Sequence, residues 1–230
     1  ELLSDVPWSP LSERARLCAN AAKRAEDKTG EKKIFLANIT DEVENLLQTH
    51  DLAVTNGAKM VMVNVMTVGL SAVRMLRRHT KVPIVGHFDF IAPFSRLPFH
   101  GVSSHLITKF QRVCGCDIII MPGFGERMKT PDKEVMENVN ICREPLAAVL
   151  PSLPTPGGSD WAGTLPLVYA KLKTADFGFV PGRGIFGHPM GPKGGALSLR
   201  QAWNAISKGI PLTEYAVGHK ELDEAFKKFL

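Results

Sequence analysis

Between Asp176 and Ala196 the sequence reads DFGFVPGRGIFGHPMGPKGGA, an apolar run followed by a stretch with six glycines and three prolines. Glycine lets main-chain N–H groups come close to an anion and adopts φ > 0 without steric cost. Arg183 and Lys193 add positive charge beside them, so the stretch is expected to hold an anion such as a phosphate. Gly182, Gly184 and Gly187 also fit G-x-G-x-x-G, the dinucleotide fingerprint. Pro189 and Pro192 oppose a helix opening at the third glycine, and neither a completing strand nor a suitably spaced acidic residue follows, so a nucleotide is not the expected ligand. A second pair, Gly157-Gly158, follows another apolar run, and Asn38, Asn64 and His87 lie at the ends of three more. Histidine titrates near neutrality and suits proton transfer, while a strand-end asparagine either holds substrate oxygens or caps the chain. The bland alternative is a glycine-rich turn with no ligand.

These residues must be positioned by elements that recur along the chain. Apolar runs rich in Val, Ile and Phe span Lys33 to Asn38, Lys59 to Val65, Val82 to Phe88, Asp117 to Met121, Leu150 to Thr155 and Asp176 to Val180, each followed by a helical pattern. Strands alternating with helices predict a parallel sheet. One helix is expected after the N-cap candidates Thr40 and Asp41, through Val43, Leu46, Leu47, Ala53 and Val54. Another runs through Leu199, Ala202, Trp203 and Ile206, and Ser9 to Lys28 reads as a helix with no strand before it. The polar and glycine residues cluster at the C-terminal ends of the strands, the face on which (β/α)8 barrels carry their chemistry. Six βα units are two short of such a barrel, and an open doubly wound sheet is the alternative.

Composition narrows the function classes. With 44% apolar and 22% charged residues in 230, one globular domain is the expectation. The net charge of +5 and a pI near 9.1 suit anionic ligands, but lysines and arginines alternate with acids, as in Lys23-Arg24-Ala25-Glu26-Asp27, which is a solvated face rather than a nucleic-acid stripe. Cys18, Cys114, Cys116 and Cys142 lack zinc-ribbon spacing and are expected to be reduced thiols in a cytoplasmic protein, with Cys114 and Cys116 in the core. No apolar run of membrane-spanning length and no signal peptide occur, so neither membrane nor nucleic acid is an expected partner.

The order N-I-T, G-H-F, H-G-V-S-S-H, P-G-G and P-G-R-G-I-F-G-H-P-M-G resembles the large subunit of ribulose-bisphosphate carboxylase, and more closely the carboxylase-like proteins of form IV, over nearly the whole chain. The resemblance implies that residues 1–230 are one C-terminal (β/α)8 TIM barrel domain supplying strands three to eight, with the first two strands and an N-terminal domain upstream. It implies a Mg²⁺ cofactor on a K-x-D-E run with a carbamylated lysine; Glu1 falls where that glutamate would be, and the Lys and Asp would lie upstream. One carboxylate cannot satisfy a hard cation alone. It further implies a homodimer with a shared active site, His87 facing substrate, and phosphate contacts from Gly157, Gly158, Gly182, Arg183 and Gly184.

Departures from the family pattern have a direction. Phe88 stands where the carboxylases place a phosphate-gripping arginine, Ser103 where they place a histidine, and Pro156 where they place a serine. The loop Pro122 to Met128 lacks their mobile lysine. One phosphate grip remains and the groups for the other phosphate and for CO₂ addition are replaced, so a substrate with one phosphate is expected, Phe88, Phe90, Phe94 and Phe124 being candidate apolar lining. The resemblance therefore implies an enolase or isomerase of a phosphorylated (methylthio-)ketose or keto compound, as in sulfur salvage, rather than a true carboxylase. The alternatives are a decarboxylase of a phosphorylated 3-keto acid and a non-catalytic member in sulfur metabolism or oxidative-stress response.

Overall fold

The computed structural model describes residues 4–89, 91–95, 99–125 and 129–230. In chain order the elements are α1 (Leu11–Thr29), β1 (Leu36–Asn38), α2 (Leu46–Thr55), β2 (Met60–Asn64), α3 (Val65–Val68), α4 (Leu70–His79), β3 (Ile84–His87), α5 (Ile91–Ser95), α6 (Ser104–Cys114), β4 (Ile118–Pro122), α7 (Asp132–Arg143), β5 (Leu153–Gly157), a 3-10 turn (Ala162–Thr164), α8 (Leu165–Leu172), α9 (Gly182–Phe186), α10 (Gly191–Lys208), α11 (Leu212–Tyr215) and α12 (Lys220–Phe229). The strands form one five-stranded sheet in the order β1-β2-β3-β4-β5, with parallel pairing that joins Asn38 to Met62, Asn64 to His87 and Val85 to Ile118. Sequential neighbours in a parallel sheet with a helix in each connection are successive βα units, as the apolar rhythm of the sequence predicts.

Side chains alternate across a strand, so each strand has two faces. Val61, Val63, Ile84, Ile119 and Met121 are fully buried on one of them. Met62, Val85 and Ile120 form a cluster on the other, with Leu36, Met60, Ile118 and Phe88 packed against it. Strands that are apolar on both faces are what a parallel sheet covered on both sides requires.

Two expectations are corrected. Asp176 to Val180 forms no strand. Its Phe177 amide turns back to the Ala175 carbonyl, and both Phe177 and Phe179 pack on the helical cluster around Trp161. The run lies against β5 through side chains, since a Cβ on Gly178 would fall 2.2 Å from Thr155 Oγ1, and the described residues offer no further strand to complete a ladder. The second correction concerns Thr40 and Asp41, which do not cap α2. That helix begins five residues later than Asp41, because Thr40 Oγ1 takes the Asn64 amide at 2.9 Å and Asp41 holds the Glu42 amide and the Thr49 hydroxyl.

By internal packing the chain divides into two compact units. The first comprises the residues through Met121 with Glu137–Pro154; the second comprises Pro122–Met136 with Thr155–Leu230. Within the first, Arg112 of α6 is 1% exposed and donates to four main-chain carbonyls, those of Leu150, Ile141, Glu144 and Val149. Ile141 lies in the last turn of α7 and Glu144 follows it, at the negative end of the helix dipole, which is how a buried cation stands with no carboxylate partner among the described residues. In the second unit Trp161, Ala162, Leu165, Ala202, Ala216, Leu222 and Ala225 form the core. Here α10 rests on α9 at Gly195, where a Cβ would lie 2.5 Å from Ile185 Cα.

Candidate functional site

In the first unit, the face that carries Met62, Val85 and Ile120 ends in Asn38, Asn64 and His87, one from each of β1, β2 and β3. Asn64 and His87 are register partners on neighbouring strands. Asn38 is engaged as a cap: its Oδ1 accepts the Thr40 amide at 3.0 Å and the Thr40 hydroxyl at 2.7 Å, leaving that oxygen to the chain rather than to a ligand. Asn64 differs. It is 8% exposed, and its Oδ1 has no hydrogen-bond partner among the described residues, so a buried acceptor stands open at the strand end.

His87 is held by its own loop. Nδ1 accepts the Asp89 amide at 3.2 Å and lies 3.2 Å from Asp89 Oδ2, and the ring stacks on Phe88 with planes 4° apart. Burial holds the imidazole below its usual value of 6.5, against the opposing pull of the Asp89 carboxylate. A neutral ring that accepts at Nδ1 carries its proton on Nε2, which has no partner among the described residues.

In the second unit the two glycine turns meet. Gly157 closes β5 and Gly182 and Gly184 open α9, and Asp160 links them: its Oδ2 accepts the Gly158 amide at 3.0 Å and its carbonyl accepts the Gly184 amide at 3.1 Å. The approach is close enough that a Cβ on Gly184 would stand 2.6 Å from Trp161 Cα. Gly123 lies alongside, its amide on the Gly157 carbonyl at 3.0 Å. Gly182 is exposed with open space where a Cβ would go, and the exposed Arg183 guanidinium lies 5.1 Å from the centre of the Phe229 ring. Asp160 is 4% exposed, and burial raises its carboxyl above 3.8, the Gly158 amide and Thr164 hydroxyl opposing.

The sequence reading missed Asp160, and one expectation changes with it. The amides of Gly158 and Gly184 are already bonded to Asp160 and that of Gly182 to the Val180 carbonyl, so these glycines do not present free donors. The rest of the glycine stretch is helical. Gly187 ends α9 rather than opening a helix, as the sequence led us to expect, but Pro192 sits in the first turn of α10, where a missing N–H costs nothing. Lys193 is exposed in that turn, and His188 is buried, its Nε2 on the Glu221 carbonyl and its Nδ1 accepting the Met190 amide. Of the candidate apolar lining, Phe124 is buried, Phe88 belongs to the sheet cluster and Phe94 is 42% exposed. Phe90, Glu1 and the segment 126–128 lie outside the described residues. Among the described residues no group of three metal-ligating side chains gathers at the strand ends, so these residues alone do not make a Mg²⁺ site. A groove of about 620 Å³ lined by Lys23, Lys33, Phe35 and Lys59 lies at the opposite, N-terminal ends of β1 and β2, away from every candidate residue of the first unit.

Residues 1–229 match the family described as ribulose bisphosphate carboxylase large chain, catalytic domain. The chain is 56% identical over its full length to ribulose bisphosphate carboxylase-like protein 2 of Rhodopseudomonas palustris, covering 53% of that protein, and 57% identical over 96% of its length to the carboxylase-like protein of Chlorobaculum tepidum, covering 51%. It is 30% identical over its full length to 3-oxo-isoapionate-4-phosphate decarboxylase of Rhizobium etli, covering 56%. The chain thus spans about half the length of the curated relatives it matches. Among solved structures it is similar to a rubisco-like protein from Burkholderia fungorum (TM-score 0.88, 30% identity, 100% of this chain and 57% of that one) and to a dimeric archaeal Rubisco from Hyperthermus butylicus (TM-score 0.88, 33% identity, 100% and 57%).

Proposed function

Since this chain belongs to the ribulose bisphosphate carboxylase large-chain family, we propose that it is the barrel part of a RuBisCO-like enolase or isomerase, which moves a proton on a phosphorylated ketose or keto compound and does not carboxylate ribulose bisphosphate. The observation that supports the reading is the joining of the two glycine turns through Asp160, which brings Gly157, Gly158, Gly182 and Gly184 together in the second unit beside the exposed Arg183, whose guanidinium rather than the occupied glycine amides would hold the phosphate. A single phosphate fits a single such grip. The replacement of the family's second phosphate arginine by Phe88, half-buried against the sheet cluster, agrees with it.

His87 and Asn64 would handle the substrate's oxygens. A neutral imidazole with its Nε2 proton unshared can donate to a developing enolate oxygen or return a proton to carbon, roles worth about 10² to 10⁴ in rate. The unpartnered Asn64 Oδ1 can accept from a sugar hydroxyl, which would satisfy the orphaned acceptor. Mg²⁺, when held by Glu1 and the carbamylated lysine and aspartate expected upstream, would supply charge for the enediolate. The base that takes the C–H proton is likewise sought outside the described residues. A homodimer with a shared active site, and a place in sulfur salvage with a methylthio substrate, extend this reading.

A second reading is decarboxylation of a phosphorylated 3-keto acid, favoured by the relative from Rhizobium etli, whose name specifies one phosphate. Both reactions pass through an enolate, and products separate them. The test is the full-length protein with Mg²⁺ and bicarbonate, given a panel of sugar monophosphates, bisphosphates and 3-keto acid phosphates in deuterated water. Solvent deuterium entering carbon of a monophosphate without CO₂ release supports the enolase; CO₂ release supports the decarboxylase. Exchange on bisphosphates alone would defeat the one-phosphate reading, and no turnover of any member of the panel would favour a non-catalytic protein.

A further inference from the structure

Helices α2 and α4 bring together three side chains that the proposed chemistry does not use. His50 and Asp51 lie in α2 and His79 ends α4. One oxygen, Asp51 Oδ1, stands 2.8 Å from His50 Nδ1 and 2.6 Å from His79 Nε2. The two rings are 5.1 Å apart at their centres, with planes at 79°. One ligand atom from each of the three residues lies within 4.8 Å of the others.

The buried member is oriented from behind. His50 is 5% exposed, and its Nε2 lies 2.6 Å from Thr80 Oγ1, itself 6% exposed and fixed by the Val82 amide at 3.1 Å. With an ion bound, Nε2 can donate to the fixed Thr80 Oγ1 while Nδ1, which without the ion donates to the Asp51 carboxylate, gives up its proton and turns its lone pair to the metal, the usual arrangement behind a metal-bound histidine. The other two side chains are accessible, Asp51 at 58% and His79 at 37%. Two imidazoles and a carboxylate are a donor set for Zn²⁺ and its neighbours, whereas Mg²⁺ prefers oxygen throughout.

We propose that His50, Asp51 and His79 form a binding site for Zn²⁺, or a divalent ion of similar preference, with water in the fourth position. Bonds of about 2.0 to 2.1 Å in a tetrahedron set ligand atoms roughly 3.3 Å apart. The present contacts open to that separation through the exposed Asp51 and His79 side chains while Thr80 keeps His50 in place. The ion would tie α2 to α4 through residues 28 apart in the chain, Asp51 and His79. The proposal is independent of the reaction assigned to the strand ends.

The test uses the full-length protein stripped with a chelator and titrated with Co²⁺, read by its visible absorption, and with Zn²⁺, read by calorimetry. The wild type should take up Zn²⁺ at this site in the presence of excess Mg²⁺, with a melting temperature that rises on loading. His79→Ala and Asp51→Asn, both on exposed side chains, should lose the corresponding equivalent and the thermal response. Thr80→Val should retain the site with affinity weakened about 10- to 100-fold. His79→Ala is chosen over a His50 variant because the buried ring also supports packing. Identical Zn²⁺ isotherms for the wild type and a folded His79→Ala protein, or displacement of the ion by Mg²⁺, would overturn the proposal.

Discussion

An oxygen of the Asp160 carboxylate lies 3.0 Å from the amide nitrogen of Gly158, so the glycine turn already holds an anion, one supplied by its own chain. Burial raises the carboxyl above its ordinary 3.8. A group whose folded value exceeds its unfolded value contributes stability below the unfolded value and loses that contribution as pH rises through the folded one. Asp160→Asn keeps an acceptor for Gly158 and removes the charge. Its melting temperature at neutral pH should exceed that of the wild type by about 2–4 °C per kcal/mol relieved, and the two curves should merge below pH 3.8. Inorganic phosphate should bind the variant roughly tenfold more tightly, as loss of a like charge beside it requires. Weaker phosphate binding in a folded Asp160→Asn protein would separate the glycine turns from any phosphate role.

Gly184 tests whether the approach of the two turns matters. Alanine there would place its Cβ 2.6 Å from the Trp161 main chain, which cannot rotate away. Gly184→Ala should cost about 1–3 kcal/mol in urea unfolding and reduce phosphate affinity, while Gly182→Ala, in open space, should leave stability within about 0.5 kcal/mol.

His87 is expected to act as the neutral ring. His87→Ala should lower turnover by about 10²-fold or more. With its value held below 6.5 by burial, kcat/KM should stay flat from neutral pH to below 6.5 and then fall as the ring is protonated. Asp89 pulls the value up, so Asp89→Asn should shift the acid limb to still lower pH. A pH-rate profile of each protein checks the order.

Arg112 should dominate stability in the first unit. Arg112→Met removes four bonds from one buried guanidinium to main-chain carbonyls, for a loss of about 2–4 kcal/mol measured by denaturant titration. Arg112→Lys, lacking the planar fork, should recover only part of it.

Thiol chemistry should divide the cysteines. Burial raises Cys114 and Cys116 and pushes Cys142 up to about 12, so these thiols carry little thiolate near neutral pH. Iodoacetamide at pH 8 followed by peptide mass analysis should find Cys18, which is only half-buried, labelled first and the other three after unfolding.

What the sequence made legible were features written in contiguous residues. Apolar runs located β1 to β5 and the pair Gly157-Gly158 marked the end of β5, because strand burial and turn geometry are local demands. Asp160 escaped notice because nothing in Ser159-Asp160-Trp161 says that its carboxylate will fold back two residues onto Gly158. Arg112 looked like one more helix cation until its four acceptors, 29 to 38 residues away, came together around it. His50 and His79 carried no motif, since only the packing of α2 beside α4 makes them neighbours. Asp176 to Val180 had a strand's composition, but strand formation also depends on a partner.

The backbone contact at Gly195 reaches further than packing. Because α10 abuts the main chain of Ile185 with no side chain between, the five-residue helix bearing Arg183 is mounted on an eighteen-residue one and cannot swivel on its own. Re-aiming the Arg183 charge is therefore confined to exchanging side chains, with Phe229 beneath the guanidinium as the natural lever.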